Sequence, residues 1–300
     1  MNLLKSLLFA LIFFPIASFA QHPDISKFNS LFKGQLYAGF GLARDLVSHV
    51  YQGKPFNPRD YDFAVVGTGW SEEKAEQVLS RYGTIVRKLR VGKEVLKPSG
   101  RVFSYEYGFV IILEYKGEQL DFKFFDTLED AHIRGLYDVE KILFPLNERS
   151  IDQLVADTHQ IKSRSRLPEG REVSDPHKGI ESTLAERPLT VNWGRATAAP
   201  IDWAVRGAMI YAKLGKNDFP HAEKQKMIQM LHSVQFMLPS DYAIIRRAIK
   251  HKSSSRVKEL LDSIGFFEKY QKWRWNEPIS GEIKSWLEGR LSPLYCKGLL

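Results

Sequence analysis

The chain has 300 residues and a mass of 34.5 kDa, with 44% hydrophobic and 26% charged residues. That is enough apolar chain for one large core or two modest ones, and it excludes a disordered polymer, a disulfide-stapled miniprotein and a collagen-like repeat. Forty-three Lys+Arg against 35 Asp+Glu give a formal charge of +8, and residues 201–300 alone hold 17 Lys/Arg and 10 Asp/Glu. A basic C-terminal third suits an acidic partner such as nucleic acid or a membrane surface, and equally a plain solvated surface.

Residues 1–20 read MNLLKSLLFALIFFPIASFA. Lys5 is a positive n-region, Leu7–Ala17 an apolar h-region, and Ser18-Phe19-Ala20 a small-x-small cleavage site before Gln21. The apolar run is short for a bilayer span of about 20 residues, and no later segment approaches that length without charges. The expectation is a cleaved secretory signal, an exported chain (periplasmic, secreted or delivered into another cell) and no stable membrane insertion after cleavage. An uncleaved N-terminal anchor is the alternative. The single cysteine, Cys296, allows neither an intramolecular disulfide nor a cysteine-based zinc site.

Beyond the leader, Ile25–Lys33 has helical spacing and stops at Gly34, Gln35–Phe40 is strand-like, and Gly41–Tyr51 is helical up to Gly53. Tyr61–Val66 is a second strand. Ser71–Tyr82 is a helix with Glu72 and Glu73 in its first turn, and Thr84–Val91 is β-like. Phe109–Tyr115 and Gln119–Phe125 flank a Lys116-Gly117-Glu118 turn, a hairpin signal. From Leu128 onward the pattern is mostly helical, with helices expected at Ile201–Leu214, Ala222–Met237, Asp241–His251 and Ser255–Tyr270. Residues 162–178 are polar and Pro/Gly-containing, as a linker or surface loop would be. The expected architecture is an α/β (α+β) head with a mixed sheet at 21–145, followed by an all-helical region at 146–300.

Asp60-Tyr61-Asp62 opens a strand, and period-two geometry puts both carboxylates on one face. Carboxylates facing the same way repel unless a cation lies between them, an arrangement of hard oxygen ligands suited to Mg²⁺ or Mn²⁺ and completed by substrate phosphates. An Asp-x-Asp alone is also common on exposed strands. Asp121, in the alternating run Leu120–Phe124, would supply a third carboxylate for a two-metal site. Upstream, Gly39-Phe40-Gly41-Leu42-Ala43-Arg44-Asp45 leads from strand into helix, where backbone N–H groups can cradle phosphate. Gly41 also fits simple turn chemistry, and Arg44–Asp45 an ordinary surface ion pair.

Tyr37–Val47 followed by Arg59–Val65 resembles the head domain of the tRNA nucleotidyltransferase (CCA-adding) and bacterial poly(A) polymerase family, within the polymerase-β-like nucleotidyltransferase superfamily. That family opens with Gly-Gly-x-x-Arg-Asp and then Asp-x-Asp; Gly41, Arg44-Asp45 and Asp60-x-Asp62 match it. Thr127–Arg134 is similar to the approach to the family's Arg-Arg-Asp-x-Thr-x-Asn-Ala motif. Asp175-Pro176-His177-Lys178-Gly179 resembles its Asp-Pro-x-Gly-Gly turn, and Arg206–Gly215 its neck helix. The resemblance covers about residues 28–215. It implies catalytic and metal-holding roles for Asp60, Asp62 and Asp121. Gly39, Gly41, Arg44, Asp45 and Arg134 would bind a nucleoside triphosphate, and the acceptor would be RNA, such as a tRNA 3′ end.

The departures bear on specificity. Phe40 stands in place of the first glycine. Gly135, Leu136 and Glu140 stand where the ribose-contacting motif has Arg, Asp and Asn, and Ala199, Pro200 and Trp203 where the neck carries its base-reading Glu-Asp-x-x-Arg. Without those hydrogen-bonding groups the site cannot tell C from A by that route. The expectation is therefore an active transferase with changed specificity, with a non-catalytic nucleotide- or RNA-binding relative as the alternative. Arg246–Lys252 and Lys269–Trp275 interleave bases with aromatics, which suits phosphate contact and base stacking, or equally core tryptophans under solvated Lys/Arg stems. RNA is the expected acceptor and a protein acceptor the alternative. P-loop, zincin and nucleophile-elbow signatures are absent.

Overall fold

Helix α1 (Ser26–Phe32) sends Phe28 and Phe32 into the interior and ends on Lys33 in a left-handed conformation. A computed structural model describes residues 22–97, 100–159, 173–234, 244 and 255–271. The expected leader, Cys296, most of the loop at 162–178, the expected helix Asp241–His251 apart from Ile244, and the basic–aromatic run beyond residue 271 lie outside them.

After α1 come β1 (Leu36–Gly39), α2 (Phe40–Gln52), β2 (Tyr61–Val66), α3 (Glu72–Leu79), β3 (Thr84–Lys97), β4 (Gly100–Tyr115) and β5 (Glu118–Phe125). Next are α4 (Leu128–Arg134), a 3₁₀ turn at Asp138–Glu140, β6 (Leu143–Pro145), α5 (Ile151–His159), α6 (Gly179–Thr183), α7 (Trp193–Ala198), α8 (Pro200–Lys213), α9 (His221–Ser233), α10 (Ser255–Asp262) and α11 (Phe266–Gln271). The fold is mixed α/β, on one six-stranded sheet in the order β3-β4-β5-β2-β1-β6. β2 and β5 run parallel; the other neighbouring pairs are antiparallel.

Three stretches differ from the sequence reading, one of them Ser255–Tyr270, expected as a single helix and divided into α10 and α11 by a turn at Gly265, whose φ is 66°. The β3–β4 hairpin is much longer than Thr84–Val91 and Phe109–Tyr115, pairing as far as Lys97↔Gly100. Residues 92–101 carry charges and little apolar alternation, so pairing there leaves no hydrophobic period, whereas Phe103, Tyr105 and Tyr107 alternate with Ser104 and Glu106 and hold a strand signal that the expected ranges leave out. Leu143–Pro145, within the region expected to be helical, is instead the edge strand beside β1, with Leu143 opposite Gly39. Three residues are too few to show a period.

The sheet buries one apolar face under α1, α2 and α5. Its centre stacks Phe63 on Phe122 at 5.4 Å, with Phe28 and Phe32 edge-on or tilted against Phe122. This core also takes Ile151, Leu154, Val173 and Ile180 from beyond residue 145. A second apolar cluster gathers Leu136, Tyr137 and Val139 against α8, α9, α10 and α11. At its middle the buried Glu223 carboxylate accepts from the Tyr211 hydroxyl at 2.7 Å and from the Tyr137 hydroxyl and the Trp203 indole N–H. Those three donors satisfy a group that would otherwise be costly to bury.

Helix α4 is held at its start by a Thr127/Asp130 capping box, and His132 on its buried side pairs through Nε2 with Ser174 Oγ at 2.8 Å. Burial pushes the His132 imidazole down to about 4. Its folded pKa thus lies below its unfolded value, so this stability is complete above about pH 6.5 and is lost as pH falls toward 4. The urea midpoint is therefore expected to drop between pH 7 and pH 4.5. Replacing His132 with Asn should lower the pH 7 midpoint and flatten that drop; an unchanged slope would refute the assignment.

Candidate active site

Parallel pairing of β2 and β5 sets Asp62 directly opposite Asp121, and Phe63 opposite Phe122. Since side chains alternate, this register puts the two phenylalanines in the core and the two carboxylates together on the other face. Ala64 lies opposite Lys123 on that same face. The small alanine leaves room for the lysine to lean back, and its ammonium ion-pairs with Asp62 Oδ1. The other oxygen, Oδ2, accepts the Gly41 N–H at 3.2 Å.

Gly41 is confined by this contact: a β-carbon there would lie 2.8 Å from Asp62 Oδ2. The preceding Phe40 has φ 54°, in the left-handed region that a bulky residue seldom enters. The turn thus keeps a glycine-like shape with phenylalanine in it, and the ring packs with Ala64, Phe125, Ala131 and Leu143 beneath the carboxylate face. Gly39 serves packing, since a β-carbon there would meet Leu143 Cδ2 at 2.6 Å.

Arg44 is buried, and its Nε and Nη2 donate to Asp45 Oδ1 at 2.9 and 2.7 Å, while Lys213 Nζ donates to Asp45 Oδ2 at 3.0 Å. This is a strap between α2 and α8 rather than a surface pair. Burial raises Asp45, but Arg44 and Lys213 outweigh it and hold the carboxyl below its usual range.

Two arginines, Arg134 and Arg206, are close enough to feel the Asp62 charge, with Arg195 beside them. Asn192 donates to the Ile133 and Gly135 carbonyls at the end of α4 and accepts from the Arg195 N–H at the start of α7, which brings Arg134 and Arg195 together. Arg206 on α8 donates to Glu140 Oε1 at 3.2 Å, and both Arg195 and Arg206 reach Asp202. Among the described residues Arg134 makes no ion pair. Burial, and then the Arg195 and Arg206 charges, push its guanidinium down to about 9, against the pull of Asp62 and Glu140.

Of the residues singled out from sequence, Asp62 and Asp121 meet, with Gly41 touching Asp62. Arg44 lies beside Gly41, its Nη2 3.6 Å from where a β-carbon would be. Arg134 is near enough to feel Asp62. Asp60 sits on the bend before β2, and its charge is still felt at Asp121. Among the described residues no group of three or more His, Cys, Asp or Glu side chains stands at metal-binding spacing. Burial raises Asp121 to about 6; Lys123 and a 2.8 Å hydrogen bond from Gln119 work against the rise, and Asp62 and Asp60 add to it. Lys123, paired with Asp62, is the cation this face already holds. The hard carboxylate oxygens of the face fit a divalent ion such as Mg²⁺ or Mn²⁺, with Asp62 and Asp121 as the residues to hold it.

The positions of the ribose and base motifs are structural. Leu136 is core, and Glu140 accepts the Leu136 N–H at 2.9 Å besides pairing with Arg206. Trp203 is fully buried, donating its indole N–H to Tyr137 Oη at 3.1 Å. Sequence reasoning missed Lys123, Arg195 and the ion pairs of Arg206 as parts of the site. Lys123 was open to detection, two residues from Asp121 on the same strand face. Arg195 depends on the Asn192 bridge between distant segments, which leaves no local signal. No protein-family model and no curated protein matches this chain.

Arg134 is held charged among like charges, a cost without structural return, and an anion would relieve it. Arg134→Met is expected to leave the thermal midpoint unchanged or raised while weakening pyrophosphate binding at least roughly tenfold, about 1.4 kcal/mol. A variant that melts lower and binds as tightly would refute this.

Proposed function

We propose that the protein is an exported nucleotidyltransferase, with a head built on the described sheet and an all-helical region after it. It would transfer a nucleoside monophosphate from a nucleoside triphosphate to an acceptor hydroxyl. The observation that carries the proposal is the in-register Asp62/Asp121 pair, held beside Gly41, with Arg134 and Arg206 close enough to feel the Asp62 charge. An anionic triphosphate gives Arg134 the partner it lacks among the described residues, and a paired carboxylate face on adjacent strands suits the other half of the chemistry.

In the transfer, the acceptor oxygen forms a bond to the α-phosphorus and the bond to the pyrophosphate oxygen breaks. Arg134, Arg195 and Arg206 spread positive charge over the phosphates and stabilise the charge that develops on the leaving pyrophosphate. Arg44, braced by Asp45 and Lys213, fixes the α2 turn against which the phosphates would lie. When bound between Asp62 and Asp121, Mg²⁺ or Mn²⁺ would lower the pKa of the acceptor hydroxyl and neutralise phosphate charge. RNA is the acceptor we favour, on the charge of the C-terminal third. Donor choice would not follow the Glu-Asp-x-x-Arg route, because Trp203 is interior.

A second reading, a non-catalytic nucleotide- or RNA-binding protein, is favoured by Lys123, which already occupies Asp62. The two separate on incubating purified protein and Mg²⁺ or Mn²⁺ with each α-³²P-labelled triphosphate, total RNA and cell lysate. The expected result is label in RNA that Asp62→Ala and Asp121→Ala each reduce by at least roughly a hundredfold, in line with loss of a group acting on the transition state. Label in protein would change the acceptor class. Saturable nucleotide binding without label would favour the second reading, and absence of both would overturn the proposal.

A further inference from the structure

Lys123 is buried and held on two sides. Its ammonium pairs with Asp62 Oδ1 and lies 4.5 Å over the Phe40 ring, and the residue is 7% exposed. The ring is brought there by a phenylalanine in a backbone conformation that favours glycine. A buried ammonium between a carboxylate and an aromatic face is a prepared cation site, and the cation in it belongs to the chain. With Gly41 N–H on Oδ2, both Asp62 oxygens already have partners.

We infer that Lys123 is an internal counter-ion that competes with a divalent cation for Asp62 and leaves it when a phosphate offers the ammonium another anion. The inference rests on the nucleotidyltransferase reading for its ligand. A divalent ion and an ammonium repel one another, so metal arriving alone must either displace Lys123 with no new partner for it or share one carboxylate against that repulsion. A triphosphate arriving with the metal supplies the missing anion. Metal and nucleotide then bind as a pair, and the free protein is protected from loading with metal alone. The coupling is reciprocal: nucleotide raises metal affinity by the factor by which metal raises nucleotide affinity.

The test is Mn²⁺ binding to the full purified protein, followed by electron paramagnetic resonance without nucleotide and with an α,β-methylene triphosphate analogue. Wild type is expected to bind Mn²⁺ weakly alone and at least tenfold more tightly with the analogue. Lys123→Met is expected to bind Mn²⁺ at least tenfold more tightly than wild type without nucleotide, a gain that adding Asp62→Asn removes. Lys123→Arg, which keeps the charge, should stay weak, and Lys123→Gln is the second neutral variant should the methionine protein fail to fold. Equal or weaker Mn²⁺ binding by the folded neutral variants would overturn the inference. A gain in Mn²⁺ binding without label transfer by any protein would keep the counter-ion and discard the transferase reading. Label transfer with Mn²⁺ affinity unmoved would do the reverse.

Discussion

Everything at the candidate site depends on the parallel register of β2 with β5. It aligns Phe63 with Phe122 and, one residue earlier, Asp62 with Asp121. The first pair makes the register favourable, because stacked, fully buried rings carry most of the apolar contact at the sheet centre. The second pair is a cost, since like charges directly opposite one another destabilise a sheet. A slip of one residue would relieve the repulsion and expel the phenylalanines, so the core holds the carboxylates together. The surrounding charges answer that constraint: Lys123 on Asp62, Gly41 N–H on its other oxygen, and arginines brought in from α4 and α8.

Those arginines show how the second apolar cluster reaches the sheet. Tyr137 and Leu136 anchor the segment after α4 in it, Trp203 and Tyr211 anchor α8, and the buried Glu223 network ties the two. With both ends fixed, Glu140 and Asp202 hold Arg206 and Arg195 in place, and Asn192 joins α4 to α7. The packed cluster is thus what lets three guanidiniums approach one another, two of them, Arg134 and Arg206, within reach of the Asp62 charge. An ordinary surface would let them swing apart.

How far the sequence was legible follows the range of the interactions. Strands β1, β2 and β5 and helices α2, α3 and α8 could be read because each has an apolar stripe or alternation of its own, with Ser71 and Gly53 marking ends by local chemistry. The charged tip of the β3–β4 hairpin and the short strand β6 could not, because one has no apolar period and the other only three residues, whereas the alternation of Phe103, Tyr105 and Tyr107 was there to be read. At the site, Asp62, Asp121 and Gly41 came from strand period and turn chemistry. Asp60 was expected on the β2 face and lies instead on the bend before it, since the strand begins at Tyr61. Arg195 was invisible because its place is set by Asn192, some sixty residues from the α4 carbonyls it bridges.

Phe40 and Trp203 are two positions where the sequence differs from the motifs compared above, and both side chains are absorbed by packing. Phe40 keeps a left-handed turn without a glycine because its ring gains Phe125, Ala131 and Leu143 as neighbours and supports the Lys123 ammonium. Trp203 is one of the largest fully buried side chains and donates its indole N–H to Tyr137. Phe40 thus lends the carboxylate face an aromatic wall for the Lys123 ammonium, and Trp203 closes the second cluster around Glu223; both side chains are buried and neither is open to a base edge. Under the transferase reading proposed above, discrimination among nucleotides would therefore rest on shape or on the acceptor rather than on either of these two side chains.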